Sequence, residues 1–235
     1  MKPKKIIWLS VITLSLAMFI YLMLCSAKKV SVSVDAQPKR PLPCIVIDPG
    51  HGGEDGGAVC GDVLEKDINL LISRDTADLF TLFGFPVTMT RTSDDALTEE
   101  GESVKERKYN DMRLRLDIYN SSPDNVIISI HQNKFSNAQS HGAQIFYSPN
   151  DPGSALLAES IRFSVCSSLQ PENDRECKAA GKEIYLLKNT ENTAVLVECG
   201  FLSNKNERQK LLTDDYQKDM SLAITTGFLD YYNSN

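Results

Sequence analysis

The sequence predicts an α/β domain: a twisted, mostly parallel sheet covered by helices on both faces, with a membrane segment ahead of it. Three observations carry this. From residue 44 onward, short apolar runs rich in β-branched residues alternate with longer amphipathic stretches; strands joined by helical crossovers have this pattern. The chain has 235 residues, 42% hydrophobic and 24% charged, which suits one core of ordinary size. A run without charges, Ile6 to Cys25, stands apart from the rest.

That run, IIWLSVITLSLAMFIYLMLC, is 20 residues long between KPKK and AKK. It is long enough to cross a hydrocarbon core as a helix, and longer than the roughly 7 to 15 residues of a signal-peptide core. Residues 1–29 are therefore expected to be an uncleaved signal-anchor that exports the domain, with a cleaved signal peptide as the alternative. Residues 30–43, VSVSVDAQPKRPLP, hold three prolines and read as an extended linker. The domain then runs from 44 to 235. Strands are expected at 44–48 (CIVID), 85–90 (FPVTMT), 125–130 (NVIISI), 143–147 (AQIFY), 183–187 (EIYLL) and 194–198 (AVLVE). Amphipathic patterns place helices at 66–83, 106–120, 154–169 and 214–232. The link from Ile130 to Ala143 is too short for a helical crossover, which leaves room for one antiparallel pair.

Charge narrows the partners. The first 29 residues carry five lysines and no acid, so residues 30–235 hold 20 basic against 31 acidic groups, a net charge of −11. Such a surface repels phosphate backbones, so no nucleic-acid partner is expected. The cysteines, at 25, 44, 60, 166, 177 and 199, show no disulfide framework and no Cys-x-x-Cys. They are expected to be mostly buried small hydrophobes.

In open α/β sheets, ligands bind beyond the carboxyl ends of the strands. That rule selects His51 in DPGHGG, His131 in SIHQN and Glu198 in VLVECG, with Glu65 just ahead of the first helix. Two imidazoles and a carboxylate are a common set in zinc hydrolases, where three protein ligands leave a fourth position open. Each residue alone has a plainer reading: His51 as a turn residue among glycines, His131 as a hydrogen-bonded core histidine, Glu65 as one loop acid among several. His141, in SNAQSHG, is expected to be an exposed loop residue. Glu198 follows Ala-Val-Leu-Val, where a carboxylate is costly unless paired, protonated or near a cation. It is either a general base or a structural partner of an arginine such as Arg91 or Arg115. There is no Gly-x-Ser-x-Gly elbow, no phosphate loop and no dinucleotide fingerprint.

Seven stretches in order, IVIDPGHGGEDGGAV, LEKDINL, VTMTRTSDD, RLRLDIYN, VIISIHQN, GAQIFYSP and VLVECGFLSN, make the domain resemble the zinc-dependent N-acetylmuramoyl-L-alanine amidases, the type 3 family, over residues 44–235. The resemblance implies that His51, Glu65 and His131 bind zinc and that Glu198 is catalytic. It further implies hydrolysis of the amide between the lactyl group of N-acetylmuramic acid and L-alanine in peptidoglycan. The layout is similar to the germination-specific, spore-cortex branch, which implies a role in muramic lactam formation and a functional partnership with a peptidoglycan deacetylase. Cys199 beside Glu198, and Thr193 where the family often has Pro, depart from the pattern without removing a catalytic group. Two alternatives stand: a zinc peptidase acting on the stem peptide, and a membrane-tethered binding module with a structural ion.

Overall fold

The computed structural model describes Met18 and residues 41–234. Apart from Met18, the expected signal-anchor lies outside the described residues, as does the linker up to residue 40. Among the described residues, no helix is long and apolar enough to cross a membrane.

The centre is a six-stranded sheet. Its strands are β1 (Ile45–Pro49), β4 (Val87–Met89), β5 (Val126–Asn133), β6 (Gln144–Tyr147), β7 (Lys178–Ala179) and β8 (Thr193–Phe201), in the order β4-β1-β5-β8-β6-β7. A small hairpin of β2 (Val59–Cys60) and β3 (Val63–Leu64) stands apart. Strands β4, β1, β5 and β8 run parallel, and β6 is antiparallel to β8. The short link after Ile130 thus has its antiparallel strand, which pairs with β8 and not with its sequence neighbour β5.

Helices are α1 (Glu65–Leu82), α2 (Val104–Tyr119), α3 (Pro152–Ser168), α4 (Tyr185–Asn189), α5 (Lys205–Leu211) and α6 (Asp214–Ser234). The four expected helices correspond to α1, α2, α3 and α6, within two residues at each end. Side chains along a strand alternate between faces. Ile45 and Ile47, Ile128 and Ile130, and Val195 and Val197 pack in the main core with Ile72, Phe80, Leu157 and Phe228 of α1, α3 and α6. Val46, Ile127, Ala194 and Leu196 form a smaller core with Tyr119 of α2 and Leu187 of α4.

The two faces differ in character toward the carboxyl ends of the strands. On the face of the smaller core, Val46 gives way to Asp48, Ile127 to Ser129 and then His131, and Leu196 to Glu198. One side of the sheet thus turns from apolar to ionisable within two residue pairs. Helix α2 fits that change, since the only residues it buries are Arg115 and Tyr119.

Two expectations fail. EIYLL at 183–187 is not a strand; its second half enters α4, and the sheet edge beside β6 is taken by Lys178–Ala179. A four-residue apolar run, Ile184 to Leu187, with no alternation does not distinguish strand from helix. Here Lys188 N and Thr190 N donate to Ile184 O and Leu186 O, so the backbone is satisfied within the turn. The cysteines are also less buried than expected: all five in the described residues are free, and Cys199 alone is buried. Helix α5 was not foreseen, although Asn204 accepts from Asn206 N and Glu207 N at 3.0 and 3.3 Å, an N-cap its sequence advertises.

Candidate metal centre

The sheet supplies the first contacts. His131, in β5, is the register partner of Glu198, in β8, so both emerge side by side at the polar end of the same face. His51 comes after β1 in a tight loop where it takes a left-handed backbone, φ 63°, and Glu65 is the first residue of α1.

Ligand atoms of His51, Glu65 and His131 all lie within 4.8 Å of one another. His51 Nε2 is 3.3 Å from Glu65 Oε2, and His131 Nδ1 is 2.9 Å from Glu65 Oε1. The rings meet edge to face, centroids 5.0 Å apart. Glu65 is held hard: Ala58 N donates to Oε2 at 2.7 Å, while Gln132 N and Asn69 Nδ2 donate to Oε1 at 3.0 and 3.2 Å. Glycine is required close by. A Cβ on Gly50 would lie 2.2 Å from the His131 ring, and one on Gly57 would lie 2.6 Å from both Glu65 and His51.

Electrostatics favour a cation among these three. Burial alone would lower the His51 pKa and raise that of Glu65, but hydrogen bonding and charge outweigh it. With Asp55 and Glu65 beside it, His51 is pushed up to about 9. With both imidazoles beside it, Glu65 is held well below the usual carboxylate range. An arrangement that stabilises a proton between a carboxylate and two imidazoles also suits a divalent ion with nitrogen and oxygen ligands.

Glu198 is unlike the ligands. Its Oε2 is sealed from solvent and has no hydrogen-bond partner among the described residues. Burial pushes its pKa up to about 7, with His131 pulling the other way and Glu65 adding to the rise. Neither expected arginine reaches it. Arg91 is spent on the carbonyls of Pro49, Gly50, Lys66 and Ser93, and Arg115 pairs with Asp48 and Asp111. A half-buried carboxyl with an unpartnered oxygen beside such a cluster could take and give a proton, and a structural ion pair leaves no such group. His141 is exposed and stands outside the cluster, as expected.

Beneath the cluster lies a network that sequence reasoning missed. Asp48 accepts hydrogen bonds from Arg115 Nη1, from Thr90 Oγ1 at 2.6 Å, from Tyr119 Oη at 2.6 Å and from Ser129 Oγ at 2.8 Å. Burial would raise its pKa, yet the Arg115 charge and the three hydroxyls hold it well below the normal range. Arg115 Nη2 also donates to His51 O at 2.7 Å, so the network grips the backbone of a ligand residue. The signal was present in the acid that closes the apolar run IVID. A cavity of about 320 Å³ opens beside the cluster, between α2 and α4, with His51, His131 and Glu198 at one end and Met112, Ile184 and Leu187 along its wall.

Fold and site together describe an α/β domain with a strand-end cluster of two histidines and a glutamate that could hold a metal ion, and a separate glutamate at its edge. Over residues 45–230 the sequence matches the N-acetylmuramoyl-L-alanine amidase family. The chain belongs to that family. It is 36% identical over 189 residues to the germination-specific N-acetylmuramoyl-L-alanine amidase of Bacillus subtilis (strain 168), covering 80% of this chain and 79% of that one. Among solved structures, the CwlD amidase from Clostridioides difficile, in complex with the GerS lipoprotein, superposes with TM-score 0.79 at 34% identity, covering 82% of this chain and all of that one. An N-acetylmuramoyl-L-alanine amidase from Clostridium difficile 630 gives 0.71 at 28% identity, over 83% of this chain. The partner in the first of these structures is a lipoprotein; neither comparison offers a counterpart for the expected deacetylase.

Proposed function

We propose that the chain is a zinc amidase that cuts the bond between the lactyl group of N-acetylmuramic acid and L-alanine in peptidoglycan, in maturation of the spore cortex. His51, Glu65 and His131 would hold the ion. Zinc, when bound there, supplies a Lewis acid that polarises the scissile carbonyl and acidifies water. Glu198 takes the proton of the attacking water and passes it to the departing amine of L-alanine. A pKa raised toward neutrality by burial suits both halves of that transfer. The Asp48–Arg115 network holds the loop carrying His51 in place, and the cavity beside α2 has space for substrate next to Glu198. Residues 1–29 act as signal-anchor, 30–43 as linker and 44–235 as catalytic domain, so the enzyme faces the wall or cortex from a membrane. Likeness to the germination-specific relative supports the cortex role.

The unpaired Glu198 carboxylate beside His131 is the observation that carries the reading. Glu198→Gln keeps the shape and removes the basicity. It is expected to leave fold and zinc content intact while turnover falls about 100- to 10,000-fold. Mass spectrometry of products from purified peptidoglycan tests the bond: an amidase frees the amino group of L-alanine, and a peptidase does not. A stable, zinc-loaded, fully active Glu198→Gln protein sinks the assignment.

A further inference from the structure

We propose that Asp55 is a positioning residue for the metal, holding the His51 ring in the orientation and tautomer ligation needs, and that Lys108 of α2 holds Asp55 in turn. This rests on His51, Glu65 and His131 being the ligands.

The loop after His51 doubles back on itself. Gly52 N donates to Asp55 O at 3.0 Å and Asp55 N to Gly52 O at 3.1 Å. The turn brings the Asp55 carboxylate to the side of the ring away from Glu65, with Oδ2 2.9 Å from His51 Nδ1. A neutral imidazole has one N–H and one lone pair, and a carboxylate at Nδ1 keeps the proton there. The lone pair is then on Nε2, the atom that faces Glu65 at 3.3 Å. Ligating histidines are oriented in this way by a carboxylate on the second nitrogen.

The other carboxylate oxygen reaches a second ligand through the backbone. Asp55 Oδ1 accepts from Gly57 N at 3.2 Å. Gly57 is where an added Cβ would strike both Glu65 and His51, and the next residue, Ala58, donates to Glu65. One carboxylate therefore fixes the ring of His51 and the turn against which Glu65 rests. The same Oδ1 accepts from Lys108 Nζ at 2.8 Å, while the neighbouring Arg107 grips Glu54 with Nε and Nη2 at 2.6 and 2.9 Å. The first half of α2 thus meets the metal loop through two charged pairs. Among the described residues His131 has no such support; the carboxylate on its ring is Glu65 itself.

The test measures zinc affinity of the full chain by competition with a chromophoric chelator, and the urea midpoint of the metal-free protein. Asp55→Ala is expected to weaken zinc binding by about 10- to 100-fold, the usual worth of such a partner. Asp55→Asn, which keeps an acceptor for Nδ1–H, should recover part of that loss. Lys108→Gln should weaken zinc less than Asp55→Ala does. Asp94→Ala is the control: Asp94 holds Gly53 N of the same loop at 3.1 Å and Lys66 Nζ of α1 at 2.7 Å but touches none of the three ligands. It should lower the urea midpoint and leave zinc affinity unchanged. Equal zinc losses in Asp55→Ala and Asp94→Ala, or none in Asp55→Ala, would overturn the proposal, and unchanged affinity in Lys108→Gln would overturn the part given to Lys108. A wild-type chain that binds no zinc overturns the ligand reading as well, which separates the two failures.

Discussion

Replacing Arg115 by Met tests whether the Asp48 network holds the site up. Arg115 is 2% exposed, and its guanidinium donates to Asp48, Asp111, Pro49 O and His51 O. Met keeps much of the side-chain volume but removes every one of these bonds and leaves Asp48 charged and buried. Pro49 O retains Arg91 at 3.0 Å and Asp48 retains its three hydroxyl donors, so the cost is chiefly the uncompensated charge. Removing one partner of a buried pair costs about 3–5 kcal/mol. For a domain of this size, each kcal/mol lowers Tm by about 2–4 °C, so a fall of about 6–20 °C is expected in thermal melting. The Asp48→Asn, Arg115→Met double variant should regain about 1 kcal/mol or more relative to the sum of the singles, since contacting residues couple. Zinc affinity should fall with the single change because His51 O loses its donor. A single variant within about 1 kcal/mol of wild type, or strict additivity in the double, would refute the argument that the pair carries the site.

The same geometry sets other outcomes. Alanine at His51, Glu65 or His131 should each abolish stoichiometric zinc by metal analysis, while His141→Ala binds normally; equal loss in the control would mean the wrong histidines were chosen. Asp48 has a folded pKa below its unfolded value near about 3.9, so its contribution is present above that pH and is lost as pH falls through the depressed value. Acid titration of wild type should show this loss below about pH 4, and Asp48→Asn should flatten that segment of the curve. The full chain should partition with membranes, whereas a chain beginning at Val30 should stay in the aqueous fraction. Recovery of a mature chain starting at Lys28 from native cells would replace the anchor with a cleaved signal.

Local pattern was enough for the parts of this protein that are repetitive or chemically rare. The β-branched apolar runs IVID, VIISI and AVLVE favour strands, and their two faces go to different cores because the side-chain period of a strand is two. Three histidines in 235 residues, two of them at strand ends, leave few ways to bring imidazoles together, so the meeting of His51 and His131 with Glu65 was legible, as was the place of Glu198 beside His131. The unpaired state of Glu198 was not. Arg91 and Arg115 were equally plausible partners in sequence, and only the packing of α2 sent Arg115 to Asp48 and only the loop after β4 turned Arg91 to backbone carbonyls. EIYLL was misread for a similar reason: a short apolar run takes its conformation from the place available, and the edge beside β6 was already occupied by β7. Asp55 and Lys108 are 53 residues apart in the chain, and nothing in their local sequence couples them. Hydrogen bonds and charges act over a few ångströms in space, so which of many surface acids and cations meet is decided by tertiary structure, whereas hydrophobic periodicity acts along the chain and is written there.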